Sequence, residues 1–165
     1  AAGKVAADPA QRDAVVQLLA RPEYIGQSAD IIGRALAGTL IPAKGEEPVT
    51  VTDFLVFHRE AANFPWRSQA MWLYSQMARW GHAEADEEGF AASAAVFRPD
   101  IYRSAFAGTD AVLPGASAKV EGAIDTPLGA GSHGGRLVLG PDRFFDGRQF
   151  DPDAPMDYLA HDRTR

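Results

Sequence analysis

An amide, a proline, an indole, a guanidinium and a hydroxyl stand side by side at Asn63-Phe64-Pro65-Trp66-Arg67-Ser68. Pro65 is pre-set for a first helical turn, so this run puts a helix N-terminus, with its unpaired N–H groups, between the Asn63 carboxamide and the Arg67 guanidinium. Such a set can receive a small anion: Asn63 and the helix amides donate hydrogen bonds, Trp66 walls the site and Arg67 supplies charge. The competing reading is a helix cap with aromatic packing against a core, which is the commoner fate of aromatic residues at helical spacing.

Catalysis needs a nucleophile beside a base, a metal cluster, or two carboxylates in a cleft, and the spacing assembles none of these. His58, His82, His133 and His161 form no pair at metal-ligand spacing, and no HExxH-like pattern occurs. They read as surface or structural residues. The run from Gly129 to Gly135 is glycine-rich, but a phosphate-cradling loop requires a strand before it and a helix after it, and neither flank fits. It reads as a surface loop. Asp142, Asp146, Asp151, Asp153 and Asp157 lack the spacing of a calcium loop and read as turn formers. The absence of cysteine removes thiol catalysis, disulfides and cysteine-ligated zinc. The expectation is a binding protein rather than an enzyme, with no cofactor and no metal.

With 46% apolar and 23% charged residues the chain has the composition of a folded globular protein. A net charge of −6 and three scattered lysines, Lys4, Lys44 and Lys119, give no footprint for nucleic acid. They do not exclude a small anion, which a few backbone N–H groups and one cation can hold. No apolar stretch approaches the roughly 20 residues of a bilayer crossing. The segment Ala1–Asp8 has neither a start methionine nor the layout of a signal peptide, so further sequence upstream is expected.

The elements that must position these residues are mainly helices. Asp8 with Pro9 and Gln11 opens a helix whose face is Val15, Leu18 and Leu19 and which Arg21-Pro22 closes. Ser28 opens a second, carrying Ile31, Ile32, Ala35 and Leu36, with Gly38 as its cap. Residues 39–48 read as a surface connection and 49–57 as extended chain. From Pro65 to Trp80 the residues Trp66, Ala70, Leu73, Tyr74, Met77 and Gly81 recur at helical steps, which predicts an apolar face turned to the core, with Arg67, Gln69, Gln76 and Arg79 near solvent. Two more helices are expected over 86–97 and 99–107. Beyond Thr109 frequent glycine and proline predict a loop-rich tail, with a short strand over 137–139, a turn at Asp146-Gly147 and a closing helical turn over 154–160. The chain thus reads as a helical stretch, 1–110, followed by a tail, 111–165.

These residues also carry a resemblance. The run Asn63-Phe64-Pro65-Trp66-Arg67-Ser68-Gln69-Ala70-Met71-Trp72, followed by Ala78-Arg79-Trp80-Gly81, resembles a signature near the end of the nitrate- and bicarbonate-binding proteins of ABC transporters. Arg98-Pro99-Asp100-Ile101-Tyr102-Arg103, Leu113-Pro114-Gly115-Ala116-Ser117 and Phe144-Phe145-Asp146-Gly147-Arg148-Gln149-Phe150-Asp151-Pro152 follow in the order that family shows, and Asp8-Pro9-Ala10-Gln11-Arg12 is similar to a stretch between two of its late helices.

The resemblance implies a mainly α fragment with a few short strands, part of a two-lobed α/β type II periplasmic-binding-protein fold, with 1–165 as the carboxyl-terminal portion. It implies capture of nitrate, nitrite, bicarbonate or a similar oxyanion in the periplasm and delivery to an ABC permease, with the Rossmann-like half and most ligand contacts outside these residues. Asn63, Trp66 and Arg67 are the candidate ligand-binding residues within them. Two alternatives stand beside it: a cytoplasmic nitrate sensor that sequesters an RNA-binding antiterminator protein, and a stand-alone helical interaction module.

Overall fold

An alanine-rich segment forms a short helix, α1 (Ala2–Ala7), which no apolar periodicity in the sequence announces. The Asp8 carboxylate then accepts from the Ala10 N–H at 2.9 Å and opens a 3-10 turn, Pro9–Gln11, that runs into α2 (Arg12–Leu19). The Ser28 hydroxyl accepts from the Ile31 N–H at 3.4 Å and opens α3 (Ala29–Ala37). Gly38, at φ 68°, ends α3 in the left-handed region, and a Cβ there would stand 2.2 Å from the Val51 carbonyl. Only glycine fits that corner. The computed structural model describes residues 2–132 and 136–160, and the chain divides into two compact units, one ending at Asn63 and one beginning at Phe64.

In the first unit α2 and α3 pack on each other through Val16 and Ile32, both buried. Val16, rather than Leu18 of the expected face, is the α2 residue that enters the core; Leu18 is exposed. The expected connection over 39–48 begins with a strand, β1 (Thr39–Leu40), which pairs antiparallel with β2 (Val49–Thr50) in the register Thr39↔Thr50. The expected extended run to Phe57 is therefore only two residues of strand. The chain turns immediately after them, with the Phe54 N–H donating to the Val51 carbonyl, and a 3-10 turn follows at Arg59–Ala61.

The second unit is built on α4 (Arg67–Arg79), thirteen residues without glycine, proline or a β-branched side chain. Its end is a Schellman motif: the Gly81 N–H donates to the Ala78 carbonyl, the His82 N–H donates to the Met77 carbonyl, and Gly81 takes φ 72°. α5 (Glu87–Val96) starts where the Asp86 carboxylate accepts from the Gly89 N–H at 2.7 Å and packs along α4. α6 (Pro99–Ala105) follows with its proline in the first turn. The texture change after residue 110 is not a boundary between units. The tail contributes β3 (Leu128–Gly129), antiparallel to β4 (Val138–Leu139), and α7 (Pro155–Ala160), which packs on α4.

The core of this unit is aromatic. Phe90, Phe150, Tyr158 and Leu159 are buried together, with Trp72, Tyr74 and Phe144 packed around them. Tyr74 meets Phe90 edge-on at 5.0 Å, Phe150 meets Tyr158 edge-on at 5.4 Å, and Trp72 stacks on Phe144 at 4.9 Å. Each fully buried ring is worth about 1.5–3 kcal/mol relative to its exposed state. Phe150 is also fixed by its backbone, which exchanges two 2.9 Å hydrogen bonds with Glu121.

Close packing makes one α5 position restrictive. A Cβ on Gly89 would lie 1.8 Å from the Tyr74 hydroxyl oxygen and 2.3 Å from its ring carbon. Alanine would gain about 1 kcal/mol of helix propensity. It would also expel Tyr74 from Phe90 and from the Glu84 carbonyl to which its hydroxyl donates. Overpacking costs typically 1–3 kcal/mol, and the lost hydrogen bond and ring contact add to it. Gly89→Ala is therefore expected to be destabilising by about 1–2 kcal/mol in urea unfolding, where helix propensity alone predicts a gain.

Candidate functional site

The aromatic, proline and basic cluster divides at the unit boundary. Asn63 belongs to the first unit, where its side-chain amide donates to the Phe57 carbonyl. Trp66 and Arg67 belong to the second. Trp66 is 3% exposed, stands at the N-cap of α4 in extended backbone, and makes no capping hydrogen bond through its side chain. Its ring meets Phe64 edge-on at 4.9 Å, and Phe64 lies against Tyr102 at 5.6 Å and beneath the Arg103 guanidinium at 5.0 Å. The Arg67 guanidinium is at the surface.

The helix N-terminus beside them is occupied. The Arg67 N–H donates to the Ser117 carbonyl at 2.9 Å, and the Gln69 N–H donates back to the Trp66 carbonyl at 3.1 Å. These are two of the donors that an anion would need. Arg103 holds the loop that supplies Ser117: its guanidinium donates to the carbonyls of Pro114, Gly115 and Ala116 and to the Ser117 hydroxyl. The run Leu113–Ser117 is thus fastened over the start of α4.

Below that loop lies a cavity of about 660 Å³ in the second unit, lined by Trp66, Val120, Ile124, Leu128 and Leu139 with Lys119, Asp125 and Thr126 among them. Among the described residues Lys119 is the one cation in its lining, and it is already neutralised. Its ammonium bridges Glu121 and Asp142, with side-chain exposures of 17%, 7% and 24% for the three residues. The Ser68 hydroxyl donates to Glu121 at 2.6 Å while accepting from the Lys119 N–H at 3.1 Å, and the second Asp142 oxygen accepts from the Ile124 N–H at 2.8 Å. One positive and two negative groups leave the cluster at −1. That balance repels a small anion, and the hydrogen bonding is that of a structural clasp joining α4 to the tail.

Sequence reasoning did not single out Lys119, Glu121, Asp142 or Ser68 as a group. The alternation Lys119-x-Glu121 is visible, but their partners lie far along the chain. Asp142, read as a turn former, is an ion-pair partner instead. Among the described residues no group of three or more His, Asp or Glu side chains is placed to hold a metal ion, and no helix is long and apolar enough to cross a membrane. His133 and His161, and the end of the glycine-rich run at Gly134 and Gly135, lie outside the described residues.

No family model matches the chain. It is similar to the nitrate import ATP-binding protein NrtC of Synechococcus elongatus, 32% identical over 158 residues that make up 96% of this chain and 20% of that protein. It is also similar to the nitrate/nitrite binding protein NrtA of the same organism, 27% identical over 92% of this chain and 30% of that protein. Its fold is that of a part of the periplasmic nitrate-binding protein NrtA from Synechocystis, with a TM-score of 0.70 at 20% identity over 96% of this chain and 37% of that one. The chain spans a third or less of the length of these curated relatives, 20% of one and 30% of the other. By sequence the chain is similar to a part of these nitrate-binding and nitrate-import proteins, and its fold is shared with a part of the solved NrtA.

Proposed function

We propose that these residues are the carboxyl-terminal part of a solute-binding protein that captures nitrate, nitrite or a similar small oxyanion in the periplasm for an ABC transporter. The observation that carries this reading is similarity, at 32% and 27% identity over nearly the whole chain, to two proteins named for nitrate handling, an import ATP-binding protein and a binding protein. What those two share in this comparison is this segment. The part played here is binding, not catalysis. The oxyanion would sit in a cleft completed by residues outside 1–165 and would stabilise the closed form through contacts made only there.

Of the three candidate contacts, Arg67 is the one that is charged and exposed, which leaves it available to an anion. Trp66 acts as a wall beneath the loop, and Asn63 is engaged with Phe57. A charge-assisted hydrogen bond is worth about 1.5–3 kcal/mol, so Arg67→Gln is expected to weaken nitrate binding by the full-length protein roughly tenfold or more. Unchanged affinity would remove Arg67 from the site.

Ligand-dependent melting tests the reading as a whole. A ligand that binds only the folded state stabilises it by about 2.7 kcal/mol at a hundred times its Kd. Nitrate, nitrite or bicarbonate should therefore raise the Tm of the full-length protein by several degrees. Indifference to all three would remove the oxyanion proposal. A second reading is favoured by the higher identity to the ATP-binding protein: the segment would be an oxyanion-sensing module attached to an import ATPase. ATP hydrolysis by the full-length protein would decide for that arrangement.

A further inference from the structure

A second cavity lies wholly within the first unit, where the ends of α1 and α3 and the start of α2 meet the chain that follows β2. Its volume is about 190 Å³, and Arg12, Leu36, His58 and Arg59 are among the residues that line it. Arg12 is half-buried, and its guanidinium has no ion-pair or hydrogen-bonding partner among the described residues. Asp8, one turn before it, is committed to the Ala10 N–H. Residues 55–59 belong to the same lining, and their main-chain N–H groups also find no acceptor among the described residues. On either side of them the chain is satisfied, since the Phe54 and Ala62 N–H groups donate to the Val51 and Arg59 carbonyls. Folded proteins seldom leave a half-buried cation and a run of main-chain donors without acceptors. Donors gathered without acceptors make a concavity suited to an anion.

The segment that carries these donors is held in a costly form. Glu60 and Ala61 both take φ 57°, in the left-handed region that residues other than glycine rarely enter. Arg59 donates to the Asp53 and Glu60 carboxylates, and the Asn63 amide donates to the Phe57 carbonyl, so the segment is fastened along its length. Strain of this kind persists where the surroundings over-determine it, and it gathers at ligand clamps. Arg59 is neutralised by these contacts, which leaves Arg12 and His58 to meet a ligand. The Asp53 and Glu60 side chains are 69% and 36% exposed, so water screens their charges.

We propose that this cavity binds a phosphate group, with the Arg12 guanidinium supplying the charge and His58 and the 55–59 main chain supplying further donors. The volume equals that of about six waters at ~30 Å³ each, which admits the five heavy atoms of a phosphate ion. It falls below the roughly 300 Å³ at which pockets for drug-sized ligands begin. A tetrahedral group presents acceptors in every direction, so it can take a guanidinium from α2 and amides from the 55–59 segment together. The site is separate from the oxyanion cleft proposed above and does not depend on it.

Calorimetric titration of the full-length protein with inorganic phosphate and with glycerol phosphate, at fixed ionic strength, tests the assignment. Saturable binding is expected; saturation by inorganic phosphate identifies a free ion as sufficient, and saturation by the ester alone identifies a phosphomonoester as the ligand. Arg12→Gln is expected to weaken that binding roughly tenfold or more. Arg34→Gln, on α3 and paired with Asp30, is expected to leave it unchanged. Because the Arg12 side chain has no partner to lose, Arg12→Gln should melt close to the unsubstituted protein without phosphate, and phosphate should raise the Tm of the unsubstituted protein alone. Absence of saturation by both probes would overturn the proposal. Equal weakening in the two variants would do so too, since it marks a general attraction between cations and phosphate, as would a large fall in the Tm of phosphate-free Arg12→Gln, which makes Arg12 a structural residue. Nitrate titration of the same samples keeps the two readings apart. Nitrate binding without phosphate binding would sink this inference and leave the proposed function standing, while phosphate binding without nitrate binding would do the reverse.

Discussion

Replacing Phe150 with alanine is expected to lower stability by about 3–5 kcal/mol, the range for removing a buried aromatic ring and leaving a cavity. The upper part of that range is expected because the site has little freedom to collapse. Phe150 is inaccessible to solvent, Phe90 and Tyr158 pack against it, and both its backbone hydrogen bonds are held by Glu121. A whole domain is stable by only about 5–15 kcal/mol, so the variant should be marginal at ambient temperature. Urea unfolding followed by tryptophan fluorescence would measure it, since Trp72 stacks beside this cluster. A loss below about 1 kcal/mol would mean that the aromatic cluster does not organise the second unit.

The second large effect is expected at Lys119. Removing one partner of a buried ion pair costs about 3–5 kcal/mol because the other charge is left uncompensated. The group here is partly accessible, which screens it, so Lys119→Met is expected to cost about 2–4 kcal/mol. Its loss leaves Glu121 and Asp142 without their shared cation. Glu121→Gln in the same chain should recover part of the loss, because the amide removes one carboxylate charge and can still accept from Ser68. The expected pattern is therefore a large cost for the single variant, a smaller one for the double, and no change in oxyanion affinity while the protein is folded. A specific loss of affinity would make Lys119 a ligand contact and contradict the clasp.

The capping chemistry of this fold was legible in the sequence because it is local. Asp8, Ser28, Asp86, Pro99 and Gly81 stand within a few residues of the groups they serve, and each begins or ends an element as its type predicts. The orientation of α4 was not legible. Periodicity marked Leu73 and Met77 as one apolar face and Gln76 as solvent-side, and the structure exposes the first two and buries the third. The hydrophobic pattern records that a stripe is apolar and is silent about which neighbour covers it. The inward side carries Trp72, Tyr74 and Ala78 on the aromatic core and, at the start of the helix, Ser68 in a polar clasp with Lys119, Glu121 and Asp142, and no spacing rule connects residues so far apart. The two-residue strands were equally hidden, since β1 and β2 are held by pairing across a turn rather than by any alternation long enough to see.

The candidate site was readable only in part. The run at Asn63–Ser68 marks the start of a helix and the resemblance to a family, but the division of the chain at Asn63 and Phe64 separates residues that adjacency had grouped. Adjacency in sequence reports on the cap, whereas a ligand site depends on what other segments bring to it. The Leu113–Ser117 loop, drawn in by Arg103, takes the Arg67 amide that the anion reading required.

Calorimetric titration of the full-length protein with nitrate, nitrite and bicarbonate tests the central claim most directly. One saturable site per chain is expected for at least one of these anions, with affinity retained in folded Lys119→Met. Heats no larger than dilution for all three anions, from a protein that melts cooperatively, would contradict it.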